Sequence, residues 1–590
     1  AAVVVQRDLT VGRHAAMPME CRGVLARPEP GGRIDMVTSS QIPHRVREAV
    51  CSANGLDESA VRVRVVDVGG GFGGKANVYA EEAVVLAAAR RLDRAVAWIE
   101  DRAEHLVSAA HGRDQRHHCR LAVAADGEIL ALQDDFVIDL GAGSLWTAGI
   151  LANTAIHLLG PYRVPAVQIS GTAAFTTKTI VAQYRGAGRP EACFALERCL
   201  DAAAAALGMS PIDIRRRNLL TARDLPYPRP IPYRDGVPIS YDGVDYLAVQ
   251  DAAVDLVPPQ DAAEFARSHP DLKVGHGVAN YIEATGRGPY ETATVSLSAD
   301  GRFTVTAGSA SSGQSHETVW AQIAADALGV PPDRIDVHTG DTDAVPDGIG
   351  TFASRSAVVA GSAIHLAAGD VVDQARDLFA KDWGCAKHEI AFDAGLFRAT
   401  PDGPAGGWDD LAGALGEGGS LAGAALPSAL HRYHPTTVTW TMGCHSVIVG
   451  VDPDTGLCRV FRYGVAHEGG LEINPTVVLG QVQGGVAQGL GGALLEELRY
   501  ADSGQPEVST LADYPLIGPV ETPDVLVRHL QAVTEANPLG VRGAGESGTI
   551  PVYAAIAAAI DDALGCRTDG VAATPIVPGQ VARLAAGGRP

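Results

Sequence analysis

Glycines in the segment GGGFGGK, residues 69–75, have spacings that can hold a phosphate group. Gly69, Gly71 and Gly74 fit the pattern G-x-G-x-x-G, and Glu100 stands where a dinucleotide-binding fold places its ribose carboxylate. The same seven residues fit G-x-x-x-x-G-K, the phosphate loop of nucleotide hydrolases. In that pattern Ala76 replaces the Ser or Thr that would bind magnesium, so the second interpretation fails.

The residues around this loop predict a strand, the loop and then a helix. Residues 61–68 are mostly β-branched and apolar, which favours a buried strand. After the loop, Val78, Val85, Ala89 and Leu92 recur at helical spacing. The glycines therefore lie between two regular elements that can position them.

Five more glycine-containing loops occur along the chain, and most of them lead into helix-like sequence. One phosphate needs one such loop, so six indicate a large, oxygen-rich ligand held at many points by backbone N–H groups and helix N-termini. Taken singly, each loop could equally be a simple turn. The additional loops cover residues 183–191, 311–316, 348–356, 479–497 and 538–551.

The chain also contains a duplicated unit. Residues 34–74 and 303–343 share one order of strand, Ser-rich loop with a glutamine, amphipathic helix, short turn and strand. We therefore predict an α+β fold of two elongated mixed α/β domains of related design, at residues 1–245 and 246–590. The prolines of residues 224–243 favour an extended connection between them, and residues 400–435 are expected to be rich in loops.

Composition excludes several classes of protein. The net charge of −22 over 590 residues argues against nucleic-acid and anionic-membrane partners. No apolar run approaches the roughly 18 residues that a membrane-spanning helix needs, and the nine cysteines form no C-x-x-C pair. These features predict a cytoplasmic protein without a structural zinc or an iron–sulfur cluster of its own.

Several of the loops together, in order, resemble the molybdenum-cofactor subunit of the xanthine oxidase and aldehyde oxidoreductase family. The motifs that carry this resemblance are SSQIPH, GGGFGGK, QYRGAGRPEA, SSGQSH, GTFASRS, GQVQGGVAQGLGGALLEE and GVRGAGESG. The resemblance covers nearly the whole chain and implies the family's two-domain fold, with the cofactor between the domains. If the resemblance holds, the matches of residues 69–75 to the dinucleotide and nucleotide-hydrolase patterns are coincidences that arise from the high glycine content of the loop.

The resemblance also implies a cofactor, a reaction and partners. The cofactor would be molybdenum on molybdopterin cytosine dinucleotide, held through its dithiolene and not by protein ligands. The reaction would be hydroxylation of an N-heterocycle or an aldehyde with oxygen from water. Electrons would pass to partner subunits that carry [2Fe–2S] clusters and FAD. The family's N-terminal domain would be a separate chain or a cleaved part of the same subunit, and the assembly a dimer of heteromers.

Residue roles follow from the same resemblance. Glu546 matches the family's general base, Gln41 the amide that hydrogen-bonds an oxo ligand, and Arg185 a cation near the metal. The glycines of the first loop would allow close approach of the backbone to the cofactor. The expected cofactor contacts are Gly71, Phe72, Gly73, Arg185, Gln314, Ser315, Ala353, Ser354, Ser356 and Gln481.

Departures from the family pattern narrow the substrate. Gly186 replaces the copper-binding cysteine of carbon monoxide dehydrogenases, which leaves only a copper-free relative of those enzymes as an alternative. Ala76, Ala187 and Asn153 replace a glutamate, an aromatic residue and an arginine of purine oxidisers, so xanthine is disfavoured. A non-catalytic scaffold of the same fold is a further alternative. The motif AHEGG at residues 466–470 departs from the family's Asp-x-Gly without a functional explanation.

Overall fold

The computed structural model describes residues 1–143, 145–399 and 403–588. The strands are β1 Val3–Ala15, β2 Gly23–Pro28, β3 Ile34–Thr38, β4 Val61–Arg64, β5 Val96–Ile99, β6 His111–Val123, β7 Ile129–Asp139, β8 Val167–Ala174, β9 Tyr227–Pro228, β10 Ser240–Tyr241, β11 Lys273–Thr285, β12 Glu291–Leu297, β13 Phe303–Ala307, β14 Ile335–Thr339, β15 Ala391–Asp393, β16 Leu396–Arg398, β17 Ala405–Gly407, β18 Ser428–Tyr433, β19 Thr439–Val451, β20 Cys458–Glu468, β21 Val525–Leu530 and β22 Ala573–Thr574. The α-helices are α1 Pro43–Asn54, α2 Ala80–Leu92, α3 Arg102–Ser108, α4 Thr147–His157, α5 Arg189–Leu207, α6 Pro211–Asn218, α7 Tyr246–Leu256, α8 Asp261–Ser268, α9 His316–Leu328, α10 Ser356–Trp383, α11 Trp408–Leu415, α12 Pro475–Leu494, α13 Val552–Leu564 and α14 Pro578–Ala585.

The duplicated unit is present in the fold. In the first copy, β3, α1 and β4 form a crossover between parallel strands, with Met36 opposite Val63. In the second copy, β13, α9 and β14 do the same, with Val305 opposite Val337. Each copy belongs to its own four-stranded sheet, in the orders β4-β3-β2-β5 and β14-β13-β12-β18. The prediction of a mixed α/β fold with two halves of related design is confirmed.

The two copies meet at the ends of β4 and β14. The N–H of Val65 donates to the carbonyl of Gly340 at 2.7 Å, and the N–H of Thr342 donates to the carbonyl of Val63 at 3.1 Å. The glycine loop at residues 69–75 follows β4, and the loop at residues 348–356 follows β14. Pairing of the two strand ends therefore brings these two loops near one another.

A larger core joins the five-stranded sheet β22-β1-β6-β7-β8 to the four-stranded sheet β11-β19-β20-β21 through α5 and α13. Every residue of α5 from Arg189 to Ala204 is buried, so this helix runs through the core. Gly277 on β11 lets α13 pack directly on the sheet, because a Cβ there would lie 2.1 Å from the carbonyl oxygen of Ala555.

The strand and the helix predicted on either side of the first glycine loop are both present, but each is shorter than predicted. The strand expected over residues 61–68 ends at Arg64, because Val65 pairs with Gly340 and the chain then turns into the glycine loop. The helix begins at Ala80 and not at Val78, since the Glu82 carboxylate accepts the N–H of Tyr79 at 3.0 Å and caps the helix there.

The region that includes residues 400–435 is more regular than the sequence indicated. Thr400, Pro401 and Asp402 lie outside the described residues, but the rest contains β17, α11 and β18. Leu411 and Trp408 of α11 are buried in the core of the second copy, which explains why this glycine-rich stretch is ordered.

The connection at residues 224–243 is extended, with only the short strands β9 and β10. The boundary between residues 245 and 246 stays a prediction, and β22, near the C-terminus, pairs with β1 of the first half. Among the described residues, no helix has both the length and the apolar character that crossing a bilayer requires.

Candidate active site

A cavity of about 1160 Å³ lies where the glycine-containing loops converge. All six loops that the sequence identified contribute residues to its wall, among them Phe72, Arg185, Gln314, Ser354 and Glu546. Residues from both copies of the duplicated unit therefore face one space. Of the expected site residues, Gly71 and Ser315 do not line it, whereas Gln41, Gly73, Ala353, Ser356 and Gln481 do.

Gln41 joins two of the loops. Its Oε1 accepts the N–H of Gly73 at 3.1 Å, and its Nε2 donates to the carbonyl of Thr351 at 2.7 Å. Gly71 lies against the same side chain, where a Cβ would come within 2.6 Å of Oε1. The role of Gly71 is thus to admit the Gln41 side chain. An amide carries two N–H groups, so Gln41 keeps one donor beyond its bond to Thr351.

Arg185 links three loops through its guanidinium. Nε donates to the carbonyl of Gly545 at 2.6 Å, Nη1 to Oε1 of Gln488 at 3.0 Å and Nη2 to the carbonyl of Gln481 at 2.9 Å. Its backbone N–H donates to the carbonyl of Phe72 at 3.0 Å. Burial lowers the pKa of Arg185, but the surrounding oxygens are those that a guanidinium binds well. This geometry fits a residue that positions the loops.

Glu546 lies at the cavity wall with about 15% of its side chain exposed. Its carboxylate forms an ion pair with Arg189, and its backbone N–H donates to Oγ of Ser354 at 3.1 Å. Arg189, the first residue of α5, also donates from Nη2 to the carbonyl of Ala284 at 2.9 Å. The contact from Nη1 of Arg189, which is itself held by Ala284, thus orients the Glu546 carboxylate.

Sequence reasoning missed two ionisable residues at this place. Arg189 stands within the motif QYRGAGRPEA, so the motif contained the signal, but the residue was not singled out. Glu283 lies on β11 outside every motif, and its carboxylate accepts the hydroxyl of Ser547 at 2.5 Å. Burial raises the pKa of Glu283 to about 7; Arg189 opposes this shift and Glu546 adds to it. A second carboxylate therefore lies behind Glu546.

Several of the loops hold residues in the left-handed backbone region. Phe72, Ala187, Ser315, Ala353 and Ser354 have φ between 40° and 56° although none is glycine. Such conformations cost of order 1–3 kcal/mol each and persist where the surrounding structure imposes them. Backbone strain is thus concentrated around the cavity.

Helix starts also face the cavity. Ser356 begins α10, and α12 begins at Pro475 after the lining residue Asn474, which caps it by accepting the N–H of Val477 at 3.1 Å. Gln481 lies further along α12, beyond its first turn. Gln314 accepts the N–H of Ser312 at 2.6 Å just before α9. Ser315 is exposed beside it and points away from the lining. Helix N-termini favour anionic groups, so this side of the cavity suits phosphates.

These features fit a large cofactor with many oxygen atoms. The volume is sufficient for a dinucleotide-sized ligand. Gly69, Gly73, Gly313 and Gly545 expose backbone along its walls. The residues that would hold the cofactor are Phe72, Gly73, Gln314, Ala353, Ser354, Ser356 and Gln481, with Gln41 and Glu546 at the reacting end.

The motif AHEGG has a structural explanation. Glu468 accepts the N–H of Gly470 at 2.9 Å and pairs with Nε of Arg542 at 3.2 Å. Arg542 also pairs with Asp242 at 2.8 Å, and His467 bonds the hydroxyl of Tyr281 at 3.0 Å. Because Arg542 belongs to the loop of Glu546, this buried network anchors that loop from behind.

Glu100 does not serve a nucleotide. It is buried, with Arg22 at 2.5 Å and Nδ1 of His105 at 2.8 Å. Although burial opposes it, the hydrogen bonds from His105 and Arg22 hold the pKa of Glu100 at about 2. Its oxygens are thereby committed to protein partners, which removes the structural basis for the dinucleotide interpretation. Cys21 also approaches this pair.

Known families and proteins match most of this chain. Residues 1–219 and 254–523 each match a family described as a molybdopterin cofactor-binding domain. The 6-hydroxypseudooxynicotine dehydrogenase complex subunit gamma of Paenarthrobacter nicotinovorans is 37% identical over 97% of this chain and 73% of its own length. The nicotine 6-hydroxylase large subunit of the same organism is 31% identical over 98% of this chain and 72% of its own length.

The crystal structure of quinoline 2-oxidoreductase from Pseudomonas putida 86 superposes with a TM-score of 0.93. It is 35% identical and covers 100% of this chain and 77% of its own. Both domain matches, the shared fold and the relatives that align over nearly the whole chain agree. The chain belongs to the molybdenum-binding large subunits of the xanthine oxidase and aldehyde oxidoreductase family of molybdenum hydroxylases.

Proposed function

We propose that this chain is the catalytic subunit of an enzyme that hydroxylates an aromatic N-heterocycle with oxygen from water. The single observation that carries the proposal is that Glu546, held by Arg189, lies with Gln41 in one glycine-walled cavity. The scaffold alternative does not require a carboxylate whose side chain is partly open to the cavity beside an amide with a donor to spare.

Glu546 has the position of a base. Its carboxylate is oriented by Arg189 and has part of its surface open to the cavity, so it can accept a proton from a group bound there. When bound, the molybdenum cofactor would supply the two-electron oxidation. Gln41 would direct its remaining N–H towards an acceptor oxygen, and Glu283, whose pKa is about 7, could hold a proton behind Glu546.

A heterocyclic substrate is favoured over carbon monoxide and over aldehydes. Gly186 offers no sulfur for copper, and the ring of Trp146 lines the cavity. Ala187 lines the same cavity with only a methyl group, which leaves room for a flat molecule. Relatives named for nicotine, 6-hydroxypseudooxynicotine and quinoline point the same way. An aldehyde is the second candidate, because the same base could serve it.

The cofactor form and the partners are part of the proposal. The helix starts at Ser356 and Pro475 suit the additional phosphate of a cytosine dinucleotide. Electrons would leave through partner subunits with [2Fe–2S] clusters and FAD, and relatives are named as the gamma subunit of a complex and as a large subunit. The nine free cysteines support a reducing, cytoplasmic location.

Replacement of Glu546 tests the base role. In the assembled holoenzyme, Glu546→Gln should lower the rate of dye reduction with quinoline by about 10²- to 10⁴-fold while molybdenum content stays unchanged. Glu535→Gln, a change of an exposed glutamate eleven residues earlier, is the control and should keep full activity. Turnover by Glu546→Gln at the wild-type rate with full molybdenum would exclude this role.

A further inference from the structure

Arg234 is a cationic residue of the cavity that none of the cofactor motifs includes. It lies in the proline-rich connection at residues 224–243 and lines the cavity. Its Nη1 donates to Oδ1 of Asn153 at 2.7 Å. Its guanidinium lies over the rings of Trp146 and Tyr233, 4.9 and 4.8 Å from their centres. The connection thus contributes a fixed positive charge to the site.

This charge lacks a counter-ion in the described part of the chain. No described carboxylate lies within 4.0 Å of Arg234, because the neighbouring Asp235 pairs with Arg287 at 2.5 Å. Three other arginines of the lining are compensated: Arg189 by Glu546, Arg355 by Glu291 and Arg542 by Asp242. Arg185 has no carboxylate partner either, but all three of its guanidinium nitrogens donate to protein oxygens. Burial lowers the pKa of Arg234, and the Arg189 charge adds to the lowering. A partly buried cation of this kind favours an anion brought by a ligand.

The position of Arg234 assigns the anion to the reacting end of the cavity. Asn153, which holds Arg234, donates from Nδ2 to the carbonyl of Ala187 at 3.3 Å. The preceding residue, Gly186, accepts from Arg189 at 3.1 Å, and Arg189 pairs with Glu546. Arg234 is therefore connected to the base through four successive contacts, by way of Asn153, the Ala187–Gly186 backbone and Arg189. The helix starts that suit phosphates belong to other segments, α9, α10 and α12.

We propose that Arg234 binds a carboxylate carried by the substrate, so that the enzyme prefers heteroaromatic carboxylates over neutral heterocycles; this inference rests on the proposed function. Arg234 can offer two N–H groups to both carboxylate oxygens. Trp146 and Tyr233 hold the guanidinium in its plane, and Asn153 fixes one of its donors. The flat ring would then extend from the carboxylate towards Glu546. Arg234 is a specificity-determining residue in this arrangement and takes no part in proton transfer.

The test compares quinoline-4-carboxylate with quinoline-4-carboxamide and quinoline. Binding of each compound to the holoenzyme is measured by quenching of tryptophan fluorescence, and turnover by dye reduction. Wild-type enzyme should bind the carboxylate at least tenfold more tightly than the carboxamide. In Arg234→Met, Kd and KM for the carboxylate should rise by about 10- to 150-fold, the range for a lost charged hydrogen bond, while those for quinoline change less than about threefold.

Two further variants separate charge from structure. Arg234→Lys keeps the positive charge and should retain part of the carboxylate preference, whereas Arg216→Met removes an exposed arginine on α6 and should leave the preference intact. Equal losses for carboxylate and carboxamide in Arg234→Met would overturn the inference. Loss of molybdenum from that variant would overturn it too, since the anion would then be a cofactor phosphate.

The inference and the proposed function fail differently. If wild-type enzyme oxidises quinoline but binds carboxylate and carboxamide equally, the inference falls and the proposed function stands. If no heterocycle is oxidised, the proposed function falls. In that case an Arg234-dependent preference for the carboxylate in binding would still support the carboxylate site, and its absence would reject it.

Discussion

Substitution of Gly543 by alanine should separate the Glu546 loop from the Ser354 loop. A Cβ on Gly543 would lie 2.0 Å from the carbonyl oxygen of Ser354 and 2.6 Å from the Ser354 Cβ. Gly543 cannot move away easily, because its N–H donates to Oγ1 of Thr285 at 3.1 Å and its carbonyl accepts from Oγ1 of Thr441 at 2.9 Å. The alanine must therefore displace Ser354.

The size of the effect follows from this geometry. Ordinary contact requires a separation of about 3.5 Å, so the loops must part by roughly 1.5 Å. Overpacking of this kind costs about 1–3 kcal/mol, and the upper end applies because both sides are backbone held by hydrogen bonds. The bond from the N–H of Glu546 to Oγ of Ser354, 3.1 Å long, would be lost with the displacement. Cofactor retention should fall together with stability.

The assay is urea unfolding of the chain combined with metal analysis of the assembled enzyme. Gly543→Ala should lower the free energy of unfolding by about 3 kcal/mol and reduce molybdenum to a minor fraction of wild type. Gly545→Ala is the matched control for the unfolding measurement, since its Cβ would lie 3.4 Å from Oγ of Ser354 and no closer to other protein atoms. Wild-type stability and full molybdenum in Gly543→Ala would refute the close contact of the two loops.

Two further changes test the residues behind the site. Arg542→Met should cost about 3–5 kcal/mol in urea unfolding, because Glu468 stays buried without its partner; an effect below 1 kcal/mol would contradict this. Burial lowers the pKa of His467 to about 3, below its ordinary value of 6.5. Between these two pH values the unfolded chain binds more protons than the folded one, so the free energy of unfolding decreases as the pH is lowered. From pH 6.5 to 5 this amounts to about 1.5 kcal/mol, which His467→Asn should remove from the measured slope. An unchanged slope would speak against a neutral His467.

Sequence patterns were most informative where a residue type is required by the backbone. The glycine loops and the duplicated unit could be identified because loop chemistry and strand periodicity are local properties, whereas Gln41 was assigned to the site only through the family resemblance. The extent of β4 could not, since it ends where Val65 meets Gly340, a residue 275 positions further on. The regular structure around Trp408 also depends on packing against a residue distant in sequence, Phe303.

Partners of charged residues were the least predictable part of the site. Arg185 matched a motif, but its contacts with Gln481, Gln488 and Gly545 lie about 300 residues away in sequence. Glu283 has no signal at all, because a strand residue with its spacing would normally be an exposed or paired carboxylate. Only the fold shows that it lies behind Glu546, at the end of β11.

Buried arginines explain how irregular loops from two halves can form one cavity. Arg113 donates to the carbonyls of Tyr184 and Arg185 at 2.9 and 2.6 Å, and Arg355 donates to those of Gly350 and Tyr290 at 2.8 and 2.6 Å. A guanidinium has five donors and no acceptor, so each one satisfies loop carbonyls that have no place in a strand or helix. The loop carbonyls are thus engaged on the protein side. We therefore expect the backbone N–H groups of these loops to be the main-chain groups left for the cofactor, which suits a ligand rich in acceptor oxygens.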